Sequence, residues 1–131
     1  MKTLLALTVL FEAATALGLL ASPPFFANLV FAAPLDAPAA QVLGRVTGAA
    51  LLALAAACWF AREDTASPVA RGVVLAMLIY NVAATAALAY AGAALHLVGP
   101  LLWPAVVAHV ALGAWCVASV RRRRAPLPGV S

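Results

Sequence analysis

Hydrophobic positions fall in four long runs, and the polar positions between them mark where the chain turns. The runs cover about residues 3–21, 41–60, 69–91 and 97–120. Charged residues flank these stretches rather than interrupt them, with Glu12 and Arg45 as the exceptions. No period-two alternation is present, which argues against an outer-membrane barrel. Each run approaches the roughly 20 apolar residues needed to cross a hydrocarbon core about 30 Å thick. Backbone polar groups in lipid must be satisfied within the segment, so the spans are helices. The pattern predicts an all-α membrane protein, an antiparallel four-transmembrane-helix bundle. It forms one domain over residues 1–124, followed by a disordered tail over residues 125–131.

The connections refine this picture. The one long loop is SPPFFANLVFAAPLDAPAAQ, residues 22–41. Pro23 and Pro24 stop the first helix, because proline lacks the amide proton that a helix interior needs. Phe25, Phe26, Leu29, Val30 and Phe31 then suggest a short apolar turn at the membrane surface. That turn is either a hydrophobic cap packed over the bundle or a lid over a lateral entrance. The second loop, AREDTASP, offers Ser67 as an N-cap and Pro68 at the first helical position. Gly99-Pro100 bends or begins the fourth helix.

Composition removes the alternatives to a membrane protein. Of 131 residues, 66% are hydrophobic and only 9% are charged, whereas a soluble domain is about half apolar and a quarter charged. Four spans use the whole length, leaving no room for a soluble domain. Lys2, Arg62, Arg71 and Arg121 to Arg124 fall on one side of a four-span chain, and only Arg45 falls toward the other. Excess Lys and Arg mark cytoplasmic segments, so both termini are expected in the cytoplasm of a multi-pass protein of the cell inner (plasma) membrane. The RRRR run at 121–124 is then a stop-transfer flank able to meet anionic headgroups, worth about 1 kcal/mol per basic residue. No nucleic-acid partner is expected. The first 24 residues resemble a signal peptide. Even so, Glu12 interrupts the apolar stretch, Leu19 sits where a small residue is preferred, and Pro23 follows closely. The segment reads as an uncleaved first helix.

Chemistry enters with the polar residues inside the spans. Glu12 lies about ten residues from either end of its helix, near the bilayer midplane. Thr8 and Thr15 share its face. The third span places Asn81 at similar depth, with Tyr80 adjacent and Thr85 one turn along, and the fourth places His109 at its centre. Arg45 lies about one turn below the external surface and can reach inward or snorkel outward. An ionised group at the bilayer centre costs at least about 2.5–3.5 kcal/mol on insertion scales. Convergence on one interior cluster offsets that cost, so the four polar stripes are expected to face each other, with Thr47 as further lining. Such a cluster either holds helices together, at about 0.6–2 kcal/mol per interhelical hydrogen bond, or forms a functional cavity.

Other features add less. GRVTG places Gly44 and Gly48 in a GxxxG pattern, a face for close helix approach to another span or to a second copy. Cys58 and Cys116 lack CxxC spacing and read as buried small hydrophobes. His96 and His109 are thirteen residues apart in the fourth span region, on nearly opposite faces and about 20 Å apart, so they cannot clamp one haem. One central His with one Glu is half a metal site at best. No metal, no other cofactor and no catalytic residue is expected, and none of GxSxG, HExxH, a Walker loop or GxGxxG occurs.

The segment LGRVTGAALLALAAACWFAR, with ARGVVLAMLIYNVAATAALAYAG after it, resembles small uncharacterised four-span bacterial membrane proteins. The resemblance rests on Arg45-x-x-Gly48 opening the second span and the Tyr80-Asn81 pair in the third. The layout is also similar to that of DoxX-like four-helix proteins. The resemblance implies the four-helix fold and no activity.

Taken together, these features point to a bundle interior that binds, or helps transport, a small polar, anionic or lipid-like ligand. Glu12, Arg45, Asn81, His109, Tyr80, Thr85 and Thr15 are the candidate ligand or proton residues, with Arg45 orienting an anionic or polar head. The partners would be the lipid bilayer, that ligand, and a homo-oligomer or larger membrane complex. Two alternatives are an accessory or assembly subunit using the small-residue faces, and a membrane-embedded enzyme acting on a lipid-soluble substrate with Glu12 or His109 as acid or base.

Overall fold

The computed structural model describes residues 1–122. Arg123, Arg124 and the tail expected at 125–131 lie outside the described residues. Among the described residues all regular structure is helical: α1 (Lys2–Ala21), α2 (Pro23–Phe31), α3 (Pro38–Ala61), α4 (Pro68–Ala93) and α5 (Leu102–Arg122). Four of these, α1, α3, α4 and α5, are long and apolar enough to cross a membrane, with mean hydropathy between 1.6 and 2.1 over their most apolar windows. The chain is a multi-pass membrane protein built as a helical bundle. Its outward faces carry large apolar side chains such as Leu10, Phe60, Val69 and Ile79, each more than half exposed. A surface so continuously apolar is foreign to soluble monomers and costs nothing against acyl chains.

The fifth helix was expected only as an apolar turn. Pro23 and Pro24 occupy the first two positions of α2, where a missing N–H is one of the orphans anyway. The prolines that stop α1 therefore start α2. Nine residues rise only about 14 Å, far short of a span. The helix closes at Ala32, whose φ of 50° is left-handed and whose N–H donates to Asn28 O.

The start of α5 also differs from the hydropathy pattern, at Leu102 rather than 97. Residues 96–101 are instead laid across the end of α2. Gly99 N–H donates to Val30 O at 2.9 Å, and Leu101 N–H donates to Leu29 O at 3.0 Å. These bonds satisfy carbonyls in the last turn of α2, which have no partner within their own helix. Only glycine permits the approach, because a Cβ at position 99 would lie 2.4 Å from Leu29 O.

Two helix pairs make the bundle. α1 runs closely along α3 and α4 along α5, whereas α3–α4 and α1–α5 contacts are sparser. Small residues set these distances. A Cβ on Gly48 would stand 2.9 Å from Ala16 O, and one on Gly44 would stand 2.9 Å from Pro23 Cβ. The GxxxG face is therefore spent on α1 and α2 of the same chain. At one end of the bundle all four spans join in a core of Leu4, Leu5, Cys58, Val74, Met77 and Cys116. Both cysteines are free thiols buried there. Arg62 at that end stacks 3.3 Å over the Trp59 ring and pairs with Glu63 at 3.1 Å. Ser67 Oγ accepts from Ala70 N–H and so caps α4.

Candidate functional site

The buried stripe of α1 runs Leu4, Leu5, Thr8, Glu12 and Ala16, at helical spacing. It carries Glu12 into the interior, with 0% of the residue exposed. Neither carboxyl oxygen has a hydrogen-bond partner among the described residues. The Tyr80 hydroxyl of α4 lies within electrostatic reach of this carboxyl, but the pair falls short of hydrogen-bond geometry.

Asn81, also buried, ties α4 to α5. Its Nδ2 donates to Met77 O at 2.7 Å, and its Oδ1 lies 2.9 Å from His109 Nδ1. A backbone carbonyl can only accept, so the amide NH₂ must face Met77 and the oxygen must face the imidazole. Nδ1 therefore carries a proton. In the neutral ring Nε2 is then a bare acceptor, and it has no partner among the described residues. Edge-on rings hold the imidazole in place: Phe11 at 5.2 Å and Tyr80 at 5.5 Å between centroids.

Glu12, Tyr80, Asn81 and His109 thus come together, from α1, α4 and α5. Arg45 does not join them. It is exposed on α3 and lines neither of the cavities described below. The neighbouring Gly44 faces α2, and one residue further turns the side chain about 100° away. Outward, the guanidinium can snorkel to the interface. His96 sits in the turn before α5 with a φ of 56°, exposed and remote from His109's role.

Of the four, Tyr80 and His109 border a cavity of about 490 Å³, and Glu12 and Asn81 do not line it. Phe11, Thr15 and Leu19 of α1 form its back, and Phe26, Ala27, Val30 and Phe31 of α2 form its roof. Leu43, Gly44 and Thr47 of α3 face Ala84, Ala87 and Leu88 of α4 across it, while Tyr80 and His109 form its polar floor. Thr15 and Thr47 hydroxyls donate to the carbonyls of Phe11 and Leu43 in their own helices, so each keeps only acceptor capacity. Leu43 is 66% exposed, and Thr47 and Ala87 are exposed too. The cavity therefore reaches the outer surface between α3 and α4, where the two helix pairs meet loosely.

A second cavity of about 460 Å³ lies between α4 and α5 and shares His109. Asn81, Thr85 and Gly113 line it, and the Thr85 hydroxyl is buried there without a partner. His109 is thus common to both cavities. Among the described residues no group of three or more His, Cys, Asp or Glu side chains is placed to hold a metal ion. Phe11, the aromatic wall of the imidazole, was not singled out from the sequence. Its signal was adjacency to Glu12 and the four-residue spacing to Thr15.

Comparison with known proteins gives no match: no protein-family model fits the chain, nor does any curated protein or solved structure.

Proposed function

We propose that this protein binds a lipid-soluble ligand in the cavity beneath α2, admitting it sideways from the bilayer between α3 and α4. One observation carries the reading: a cavity of about 490 Å³, walled almost wholly by apolar side chains, whose α3–α4 side includes residues exposed on the outer surface. Volumes of roughly 300–1,000 Å³ with a few placed polar groups are typical of small-molecule sites. No cationic side chain lines it, which favours a lipid-like occupant over the anionic one that Arg45 would have served. Binding or a part in transport fits this better than a role as an assembly subunit, which was argued from GxxxG and the small-residue faces, of which Gly44 and Gly48 pack within the chain.

The same reading takes the bundle as antiparallel, one domain, with both termini cytoplasmic in the cell inner membrane. Support comes from Leu4, Cys58, Val74 and Cys116 meeting at one end, near Lys2, Arg62, Arg71 and Arg121. Kinship with small four-span bacterial membrane proteins belongs to this proposal too.

The test uses the full chain in nanodiscs and a photoactivatable alkyl diazirine. Labelling should concentrate on Leu43, Thr47 and Ala87, and Ala84→Trp, which fills the cavity, should cut it about tenfold. Even labelling of every lipid-facing helix surface, unchanged by Ala84→Trp, would overturn the proposal.

A further inference from the structure

The chemistry of the cavity floor names the occupant's head group, an inference that rests on the lipid-binding reading above. The Asn81 amide is oriented by Met77 O, so it accepts from His109 Nδ1 and leaves Nε2 as a lone pair directed away from Asn81. Nε2 finds no donor within the described chain, although His109 lines a cavity large enough for a ligand. None of the other polar walls makes a hydrogen bond to Nε2. Thr15 and Thr47 have committed their protons to Phe11 O and Leu43 O. The Tyr80 hydroxyl interacts with the Glu12 carboxyl rather than with Nε2. Nε2 is not sealed in the packed interior; its lone pair is unmatched on the wall of an apolar cavity, and a donor from the occupant would match it.

Charge narrows the class further. Arg45 faces outward, and no Lys or Arg lines the cavity. An anionic head would enter a cavity that offers it no counter-ion. We infer that the ligand is a neutral lipophile bearing a hydroxyl, which donates its proton to His109 Nε2 while the apolar body lies between α3 and α4. The clamp on the imidazole by Phe11 and Tyr80 holds Nε2 in one direction, so the head is read by position as well as by polarity.

The test displaces the alkyl diazirine from full-length protein in nanodiscs with three competitors of equal chain length: decanol, decyl methyl ether and decyl sulfonate. Decanol should displace the label at about one-tenth the concentration needed for the ether, which keeps the oxygen but cannot donate. The sulfonate should be weaker than decanol by at least as much. His109→Phe, which preserves a flat ring against Phe11 and Tyr80, should bring decanol down to the level of the ether. The competitor comparison on the unaltered protein decides the matter even where that variant fails to fold. Equal displacement by decanol and the ether would overturn the head-group inference and leave the lipid-binding cavity standing. Strongest displacement by the sulfonate would overturn it as well. Labelling insensitive to Ala84→Trp would remove both.

Discussion

Replacing Gly99 with alanine tests whether the turn before α5 is what holds α2 over the cavity. The added Cβ would lie 2.4 Å from Leu29 O, 2.7 Å from Val30 C and 2.8 Å from Leu29 C. All three are backbone atoms, so no rotamer change relieves the clash. Restoring an ordinary contact of 3.4 Å to the nearest of them requires a retreat of about 1 Å. That retreat stretches the 2.9 Å Gly99–Val30 bond to nearly 4 Å, beyond hydrogen-bond range. The 3.0 Å Leu101–Leu29 bond goes with it. Two hydrogen bonds at about 0.5–1.5 kcal/mol each, plus about 1–3 kcal/mol for overpacking, give an expected loss of about 2–6 kcal/mol. The control is Gly72→Ala, whose added Cβ meets nothing within 4 Å. Reversible unfolding in mixed micelles reads the difference. Amide exchange at Leu101 should accelerate by about tenfold or more, because the opening is local. A Gly99→Ala protein as stable as Gly72→Ala, with the Leu101 amide still protected, would refute the clamp.

Two further outcomes follow from the packing of α1. Gly48→Ala should cost about 1–3 kcal/mol in the micelle titration, since its Cβ would stand 2.9 Å from Ala16 O and 3.0 Å from Leu20 Cγ; an unchanged midpoint would mean that α1 and α3 are not packed through this face. Glu12→Leu should raise stability by about 1–3 kcal/mol, because both carboxyl oxygens are buried without partners. A loss of stability in Glu12→Leu, with Glu12→Gln unaffected, would instead mark the side chain as a structural hydrogen-bonding group.

The four spans were legible because membrane insertion writes itself into hydropathy: long apolar runs with polar breaks need no tertiary information. The shared level of Asn81 and His109 along the bundle was equally readable, since the two side chains meet at 2.9 Å. Rotation about the helix axis was not. Arg45 sits beside Gly44, yet one position decides between a cavity wall and the outside, and only the packing of Gly44 and Gly48 against α1 and α2 sets which it is. α2 was hidden for another reason. Its nine residues are too few to show a period, and Pro23-Pro24 signals both an end and a beginning. The register of α5 depends on bonds from Gly99 and Leu101 to Leu29 and Val30, about 70 residues apart in sequence, which no local pattern encodes. The orientation of His109 needed the Met77 carbonyl as a fixed reference, a detail visible only with side chains in place.

The placement of the core at one end of the bundle and the cavity at the other has a consequence for where the protein samples its surroundings. The slit between Leu43 and Ala87 spans only the half of the bundle that α2 covers, while the opposite half is sealed by Leu4, Cys58, Val74 and Met77. On the binding reading proposed above, acyl chains of a single leaflet would border the opening. Occupancy should track the composition and lateral pressure of that one monolayer, and remain indifferent to the other.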